Sequence, residues 1–407
     1  MTDTLKPRDG KDVEDAVRWA VAESKALEIV GHGSKHAIGR PAQTDMTLDL
    51  SALSGVTLYE PEELVLTARA GTPIAEIEAL VESKGQQLAF EPMDYGPLFG
   101  GAPGRGTIGG VLAANVSGPR RIKAGAARDH FLGFTAVSGR GETFKSGGRV
   151  VKNVTGYDLC KLMAGSWGTL AALTEVTVKT LPRPETEATV LVLGLTAAAA
   201  CKAMTAAMGS SCDISGAAHL PMDAAVLASR DLPANAVTAL RVEGVAPSVQ
   251  HRSRTLETLL QPFGSTAVFD EAASRKLWRS IRDGLPLIPA DPGEHGALWR
   301  ISLPPTEGAR FAASLPGTVP ARVLYDWAGG LMWVRVTERG QTHVARVRGA
   351  VRAVGGHATL IEAGAARDAV NDVFEPQDAS LAALTKRVKE GFDPKGVLNP
   401  GRMWAGV

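Results

Sequence analysis

The sequence predicts an α+β protein in two parts, one shaped for close backbone approach to a ligand and one built from paired strands and helices. Three observations carry this. Helix-period and strand-period segments alternate through residues 1–184. Gly96, Gly100, Gly101, Gly104, Gly106, Gly109, Gly110 and Gly118 crowd into one short stretch. Between residues 185 and 378 a strand–helix–strand–strand–helix order occurs roughly twice, which points to ferredoxin-like packing. Residues 379–407 form a closing segment.

Val13, Ala16, Val17, Ala20 and Val21 recur at helical spacing, and Leu27–Val30 reads as a short strand entering the loop Gly31-His32-Gly33-Ser34-Lys35. A strand over Leu64–Ala70 ends at Gly71. Thr72 is the expected N-cap of the next helix, with Pro73 at its first position, Ile74, Ile77, Leu80 and Val81 on its apolar face and Gly85 as its stop. Thr107 opens a short helix over Ile108–Asn115. Phe131–Val137 and Glu142–Lys145 flank Ser138-Gly139-Arg140-Gly141 as a hairpin. Leu173–Leu181 is a strand that ends at Pro182 and Pro184, the expected domain boundary.

In the second part, strands are expected at Thr189–Leu195, Ile214–Leu220, Ala239–Val245, Leu298–Leu303 and Thr359–Glu362. Arg322–Trp327 and Leu331–Val336 read as a hairpin. Helices are expected at Ala197–Met208, Ser248–Leu260, Glu307–Ser314 and His343–Val354. The tail is a helix over Leu384–Gly391 and then the turn-rich run Phe392-Asp393-Pro394 to Asn399-Pro400-Gly401-Arg402.

A chain of 407 residues exceeds one ordinary core. Its 44 Lys+Arg against 43 Asp+Glu leave a net charge of +1, which gives no electrostatic reason to expect nucleic acid. The run Arg120-Arg121-Ile122-Lys123 reads as a local anion contact or a solvated loop. Cys160, Cys201 and Cys212 form no C-x-x-C pair, so neither a disulfide framework nor a cluster held by this chain alone is expected. The N-terminus lacks the apolar core of a signal peptide, and the apolar run Leu191–Met208 carries Lys202 and is too short to span a bilayer. Cytoplasmic residence without direct membrane insertion is the expectation.

Two glycine loops are candidates for an anion nest, Gly31–Lys35 after a strand and Gly104–Gly118 leading into a helix N-terminus. Gly104-x-Gly106-x-x-Gly109, with Asp129 downstream, matches the dinucleotide fingerprint literally. That fingerprint needs a buried strand before it, and Gly96-Pro97-Leu98-Phe99-Gly100-Gly101-Ala102-Pro103 cannot be one. His32, His36, His130, His219, His251, His295, His343 and His357 offer no helical metal face, and a structural role is expected of each taken singly. No G-x-S-x-G, Walker A or H-E-x-x-H is present.

Gly31-His32-Gly33-Ser34-Lys35, Ala70-Gly71-Thr72-Pro73, Gly106-Thr107-Ile108-Gly109-Gly110, Gly156-Tyr157-Asp158-Leu159, Gly165-Ser166-Trp167-Gly168-Thr169-Leu170 and the closing run follow one another in an order that resembles the vanillyl-alcohol-oxidase-type FAD-binding family. Within it, Asn115-Val116-Ser117-Gly118-Pro119-Arg120-Arg121, Lys152-Asn153-Val154-Thr155, Leu298-Trp299-Arg300-Ile301-Ser302-Leu303-Pro304 and Gly355-Gly356-His357-Ala358-Thr359 resemble the glycolate oxidase FAD-binding subunits E over nearly the whole chain.

The resemblance implies a two-lobed FAD domain over 1–184, an α+β cap over 185–378 and a returning segment over 379–407. It places the FAD diphosphate on Gly31, His32, Gly33, Ser34 and Lys35 and on the segment holding Pro103, Gly104, Thr107, Gly109, Gly110, Asn115 and Gly118, with Gly168 and Val176 near the adenylate or ring. Ser34 occupies the position where some relatives carry a flavin-linking histidine, so non-covalent FAD is expected. The implied partners are a second FAD subunit resembling D-lactate dehydrogenases and an iron–sulfur subunit, through which the chain could reach the inner membrane peripherally.

The implied chemistry is oxidation of a small 2-hydroxy acid, glycolate to glyoxylate. Such a site needs a cation for the carboxylate and a base for the hydroxyl. Arg300 or Arg322 are the candidates for the first, and His357 or Tyr325 for the second, each with packing as its plainer role. Trp327 and Trp333 are expected to fill the cap's core. The alternatives are a self-sufficient FAD-dependent oxidoreductase of another hydroxy acid or alcohol, and a scaffold that has lost its flavin. No clustered cap-domain histidine motif favours the first, and the intact glycine loops argue against the second.

Overall fold

In the computed structural model, residues 3–41, 43–149, 156–289, 296–315, 321–336, 342–363 and 372–407 are described. The stretch Lys152-Asn153-Val154-Thr155 used in the resemblance, and His295, lie outside the described residues. The chain divides into two units. One contains Met1–Ser117, Gly125–Arg183 and Asp372–Val407; the other contains Gly118–Ala124 and Pro184–Asn371.

The first unit begins with the helix Gly10–Glu23. Asp9 caps it by accepting from the Asp12 amide at 2.9 Å, and Ser24, in the left-handed region, ends it. Its buried face, Val13, Val17 and Ala20, packs with Leu27, Leu48, Leu50, Val137, Ala172 and Leu398. The strand Leu27–Val30 lies at one edge of a parallel three-stranded sheet with Met46–Asp49 and Asp3–Leu5. A five-stranded antiparallel sheet runs in the order Val56–Glu60, Val65–Arg69, Ala171–Lys179, Phe131–Ser138, Thr143–Gly147.

The helix Ile74–Glu82 starts differently from the expectation. Pro73 occupies the N-cap and Thr72 makes no cap bond. The Thr72 hydroxyl instead donates to Arg69 O at 2.6 Å and accepts from the Gly55 amide, closing the preceding turn. The tail helix is longer than expected, Ala379–Phe392, and Asp378 caps it.

The second unit is organised on one eight-stranded antiparallel sheet, in the order 266–269, 186–193, 237–244, 216–220, 321–326, 331–336, 297–302, 357–362. Each group of four follows the ferredoxin-like order 4-1-3-2, and the two halves join at His219 opposite Tyr325. The strand Thr266–Phe269 and the helices Met222–Ala228 and Glu271–Arg282 were not anticipated. Cys160, Cys201 and Cys212 are all buried free thiols.

The run Arg120–Lys123 is not a loop: Arg121–Ala124 is a short helix, and the anions that the run contacts are side chains of the chain itself. It belongs to the second unit. Arg120 forms a bidentate pair with Glu243 at 3.1 and 2.8 Å, Arg121 lies 4.2 Å above the Trp327 ring, Ile122 packs on the core, and Lys123 pairs with Asp213.

Candidate cofactor site

Within the first unit, the loop Gly31–His36, the turn and short helix around Thr107–Ala114, and Trp167-Gly168 with the start of the strand Ala171–Lys179 surround a pocket. It contains roughly 720 Å³ of space free of protein atoms, its open mouth included. Arg402 reaches it from the C-terminal segment.

Glycine is required at several of these positions by space. A Cβ on Gly31 would stand 2.5 Å from Thr107 Oγ1, and one on Gly109 would stand 2.7 Å from Ala70 Cβ and 2.8 Å from Ala70 O. Gly168 combines φ +73° with a would-be Cβ contact of 2.7 Å to Asn399 Nδ2. Thr107 caps the six-residue helix Ile108–Ala113 by accepting from the Gly110 amide at 3.3 Å. So short a helix carries little macrodipole, and the fit to an anion here rests on local groups.

The C-terminal segment ties these walls together. Asn399 accepts from the Ile29 amide and donates to Trp167 O, each at 2.8 Å. Arg402 donates to Lys35 O and Ile38 O, both at 3.1 Å. Lys389 is buried and donates to Thr169 O at 2.6 Å, Asp393 Oδ2 at 2.6 Å and Leu398 O at 2.8 Å. Burial lowers the Lys389 pKa, and Asp393 works against that shift. Asp393 also accepts from the Val397 and Leu398 amides, fixing the turn that presents Asn399.

Lys35 is half-buried, and its Nζ lies 3.6 Å from where a Gly110 Cβ would stand. Loss of hydration pushes its pKa down to about 8; Asp94 opposes the shift and Arg402 adds to it. Asp94 was not singled out from the sequence. It accepts from the Gly96 amide at 3.0 Å and the Gly104 amide at 2.6 Å, so it shapes the glycine-rich loop. His32 Nδ1 sits 3.2 Å from Arg105 O, and His36 Nδ1 2.8 Å from Glu28 Oε1.

Of the candidate cofactor residues, the pocket gathers Gly31, His32, Gly33, Ser34, Lys35, Thr107, Gly109, Gly110 and Gly168. It does not gather the others. Gly104 is in the loop held by Asp94, next to Pro103, and Asn115 accepts from the Arg128 amide at 3.1 Å. Gly118 belongs to the second unit, where its carbonyl accepts from Trp327 Nε1 at 3.0 Å. Val176 is fully buried inside the five-stranded sheet between Ala68 and Phe134, and Ala171 and Leu173 represent that strand in the pocket. Sequence reasoning missed Trp167 and Arg402 as pocket residues, although both stood in quoted motifs.

In the second unit, directly paired residues project to one face of the sheet. Arg300 pairs with Trp333 and Thr359, Ser302 with His357, and Arg322 with Arg335, which pairs in turn with Leu298. Arg300, Arg322 and His357 therefore share a face, and Tyr325 is on the other. The Arg300 guanidinium lies 5.2 Å from the Trp327 ring and 6.0 Å from that of Trp333. His357 is exposed at the end of the edge strand. Two candidates fit their roles less well. Tyr325 is buried against His219, and burial pushes its ionisation well above the usual phenol value, which disfavours it as the base. Arg322 donates to Pro286 O at 3.2 Å and pairs with Asp223 at 3.6 Å, which marks it as a packing residue.

Residues 4–147 match the FAD binding domain family, and residues 342–403 match the C-terminal domain of FAD linked oxidases. Alkyldihydroxyacetonephosphate synthase shares the fold with TM-score 0.72 at 18% identity, over 98% of this chain and 75% of that one. p-Cresol methylhydroxylase shares it with TM-score 0.70 at 13% identity, over 98% and 88%. The fold is that of the vanillyl-alcohol-oxidase-type FAD enzymes.

Among curated proteins, the chain is 35% identical over 393 residues to the glycolate oxidase subunit GlcE of Escherichia coli K12, covering 96% of each. It is 27% identical to the glycolate oxidase subunit GlcD of Bacillus subtilis, over 90% of this chain and 80% of that one. The chain belongs to the GlcE family of FAD-linked oxidoreductases, and its cofactor is FAD. The residues present fit such a group: a glycine-walled cradle that side chains would fill, and a dehydrated ammonium facing it.

Proposed function

We propose that this chain is the FAD-bearing subunit of a complex that oxidises glycolate to glyoxylate and passes the electrons to an iron–sulfur partner. The full-length match to a glycolate oxidase subunit is the observation that carries this reading. A second FAD subunit of the GlcD kind, itself resembling D-lactate dehydrogenases, is the other proposed partner. Among the described residues no helix is long and apolar enough to cross a membrane. Peripheral association through its partners is part of the proposal.

The Gly31–Lys35 loop and the Thr107–Gly110 turn would hold the FAD diphosphate, through backbone amides that glycine leaves accessible. Gly168 and Trp167 would stand beside the adenylate or ring. Ser34 replaces a flavin-linking histidine and leaves attachment non-covalent. Bound FAD supplies a two-electron acceptor for the hydride that leaves the substrate's α-carbon. Arg300 would bind the substrate carboxylate, and His357, on the same sheet face, would take the hydroxyl proton.

The test is an anaerobic titration of the purified chain alone with glycolate, following the flavin absorbance. A flavin that stays oxidised alone but bleaches when the companion subunits are added supports the partner-subunit reading. Bleaching of the isolated chain would favour a self-sufficient oxidoreductase instead.

A further inference from the structure

We propose that the Lys35 side chain supplies the charge that holds the FAD diphosphate, so that this chain grips its cofactor with a side-chain cation as well as with backbone amides. The proposal rests on the FAD reading of the pocket. Its first support is position. Lys35 lines the cavity, and its ammonium lies over the glycine face of Gly110, in the turn capped by Thr107.

The second support is the fate of the neighbouring charges. Arg402, the other cation at the pocket, spends its guanidinium on Lys35 O, Ile38 O and Glu28. Asp94, the carboxylate that acts on Lys35, holds the Gly96 and Gly104 amides. His36 faces Glu28 and His32 faces the Arg105 carbonyl. The Lys35 ammonium donates to a neutral group, Ser34 Oγ at 3.3 Å, and among the described residues Asp94 acts on it through space without an ion-pair contact. A half-buried ammonium that touches no carboxylate is costly to the flavin-free protein and is stabilised by an incoming anion.

The sign of the pH dependence follows. The Lys35 pKa, about 8 in the flavin-free chain, rises once a diphosphate pairs with it. FAD binding therefore takes up a proton above about pH 8, and affinity falls as pH increases from there.

The experiment uses the full chain stripped of flavin, with FAD binding followed by quenching of flavin fluorescence at pH 7 and pH 9.5 and at two salt concentrations. At pH 7 the Lys35→Met variant should bind FAD about 10- to 100-fold more weakly than wild type, the size expected for one charge-assisted hydrogen bond. Lys35→Arg should recover most of the loss. The wild-type affinity should weaken between pH 7 and 9.5, and the Met variant should lose most of that slope and much of the salt dependence. Thermal unfolding of the flavin-free Met variant should be no earlier than wild type, because a dehydrated charge has been removed. Equal FAD affinity and equal pH slopes in wild type and Lys35→Met would overturn the proposal and leave the FAD reading standing. A wild-type chain that takes up no FAD would overturn both.

Discussion

Around the pocket of the first unit, the chain makes room by leaving side chains out: Gly31, Gly109 and Gly168 stand where a single methyl group would collide with Thr107, Ala70 or Asn399. The sheet of the second unit is filled the opposite way. Arg241 is buried beneath the Trp278 ring, the Glu243 side chain is only 9% exposed beside Arg241 and Arg120, and Arg335 is buried with bonds to Leu287 O and Gly296 O. Burial alone would raise the Glu243 pKa, yet Arg241 and Arg120 outweigh it and hold it at about 2. The first region is sensitive to added atoms and the second to removed charges. Their failures should therefore separate, with the cofactor lost in one case and the fold in the other.

The largest effect should come from breaking the buried charge set. Arg120→Met leaves Glu243 in a dry site with one of its two cations gone, and should destabilise the second unit by about 3 kcal/mol, at the lower end for a broken buried pair. Urea unfolding followed by tryptophan fluorescence reads this, since Trp278, Trp299, Trp327 and Trp333 all lie in that unit. The contrast breaks if the folded fraction also loses its flavin.

Next comes Gly109→Val, the converse case. Its side chain must push Ala70 or its own turn aside, an overpacking cost of about 1–3 kcal/mol concentrated on the pocket wall. The purified protein should have a flavin-to-protein ratio well below wild type, while urea unfolding of the second unit is unchanged.

This contrast also explains what the sequence made legible. Glycine loops after a strand announce a nest because glycine has few other reasons to cluster, and nine of the fourteen candidate cofactor residues line the pocket. Gly118 and Val176 fell outside it. Gly118 belongs to a strap whose Arg120 and Ile122 are spent on the other unit, and Val176 shares its strand with true pocket residues but faces the sheet interior. Asp94 and Arg402 were missed because their work is done on backbone groups distant in sequence, which composition and spacing do not reveal. In the second unit the two-fold repeat was visible. The fourth strand of its first half, Thr266–Phe269, was not, because four residues at a sheet edge leave almost no periodicity to read. Tyr325 was named as a base from its residue type alone; only the register shows it on the sheet face opposite Arg300.

A third effect tests whether the second unit is limited by buried polar groups in general. His219 is buried with Nδ1 2.9 Å from Thr238 Oγ1, and burial lowers its pKa to about 4. The unfolded chain binds this proton near pH 6.5 and the folded chain near 4, so stability is complete above pH 6.5 and is lost as pH falls toward 4. Between pH 7.5 and pH 5 the second unit should lose about 2 kcal/mol through this residue, and His219→Leu should remove that part of the slope in urea unfolding.

The smallest effect sharpens the account of the pocket by separating shape from space. Gly33 has φ +72° but no atom within 4 Å of a would-be Cβ, whereas Gly31 and Gly109 are hemmed in by neighbours. Alanine at Gly33 therefore meets only the left-handed backbone penalty, about 1 kcal/mol, and leaves the pocket walls where they are. FAD affinity of Gly33→Ala should fall less than tenfold, and that of Gly31→Ala by more, since its methyl group must displace Thr107, which caps the facing turn. If the two variants lose FAD equally, backbone conformation and not free space governs the loop, and the reading of the pocket as a space-limited cradle fails.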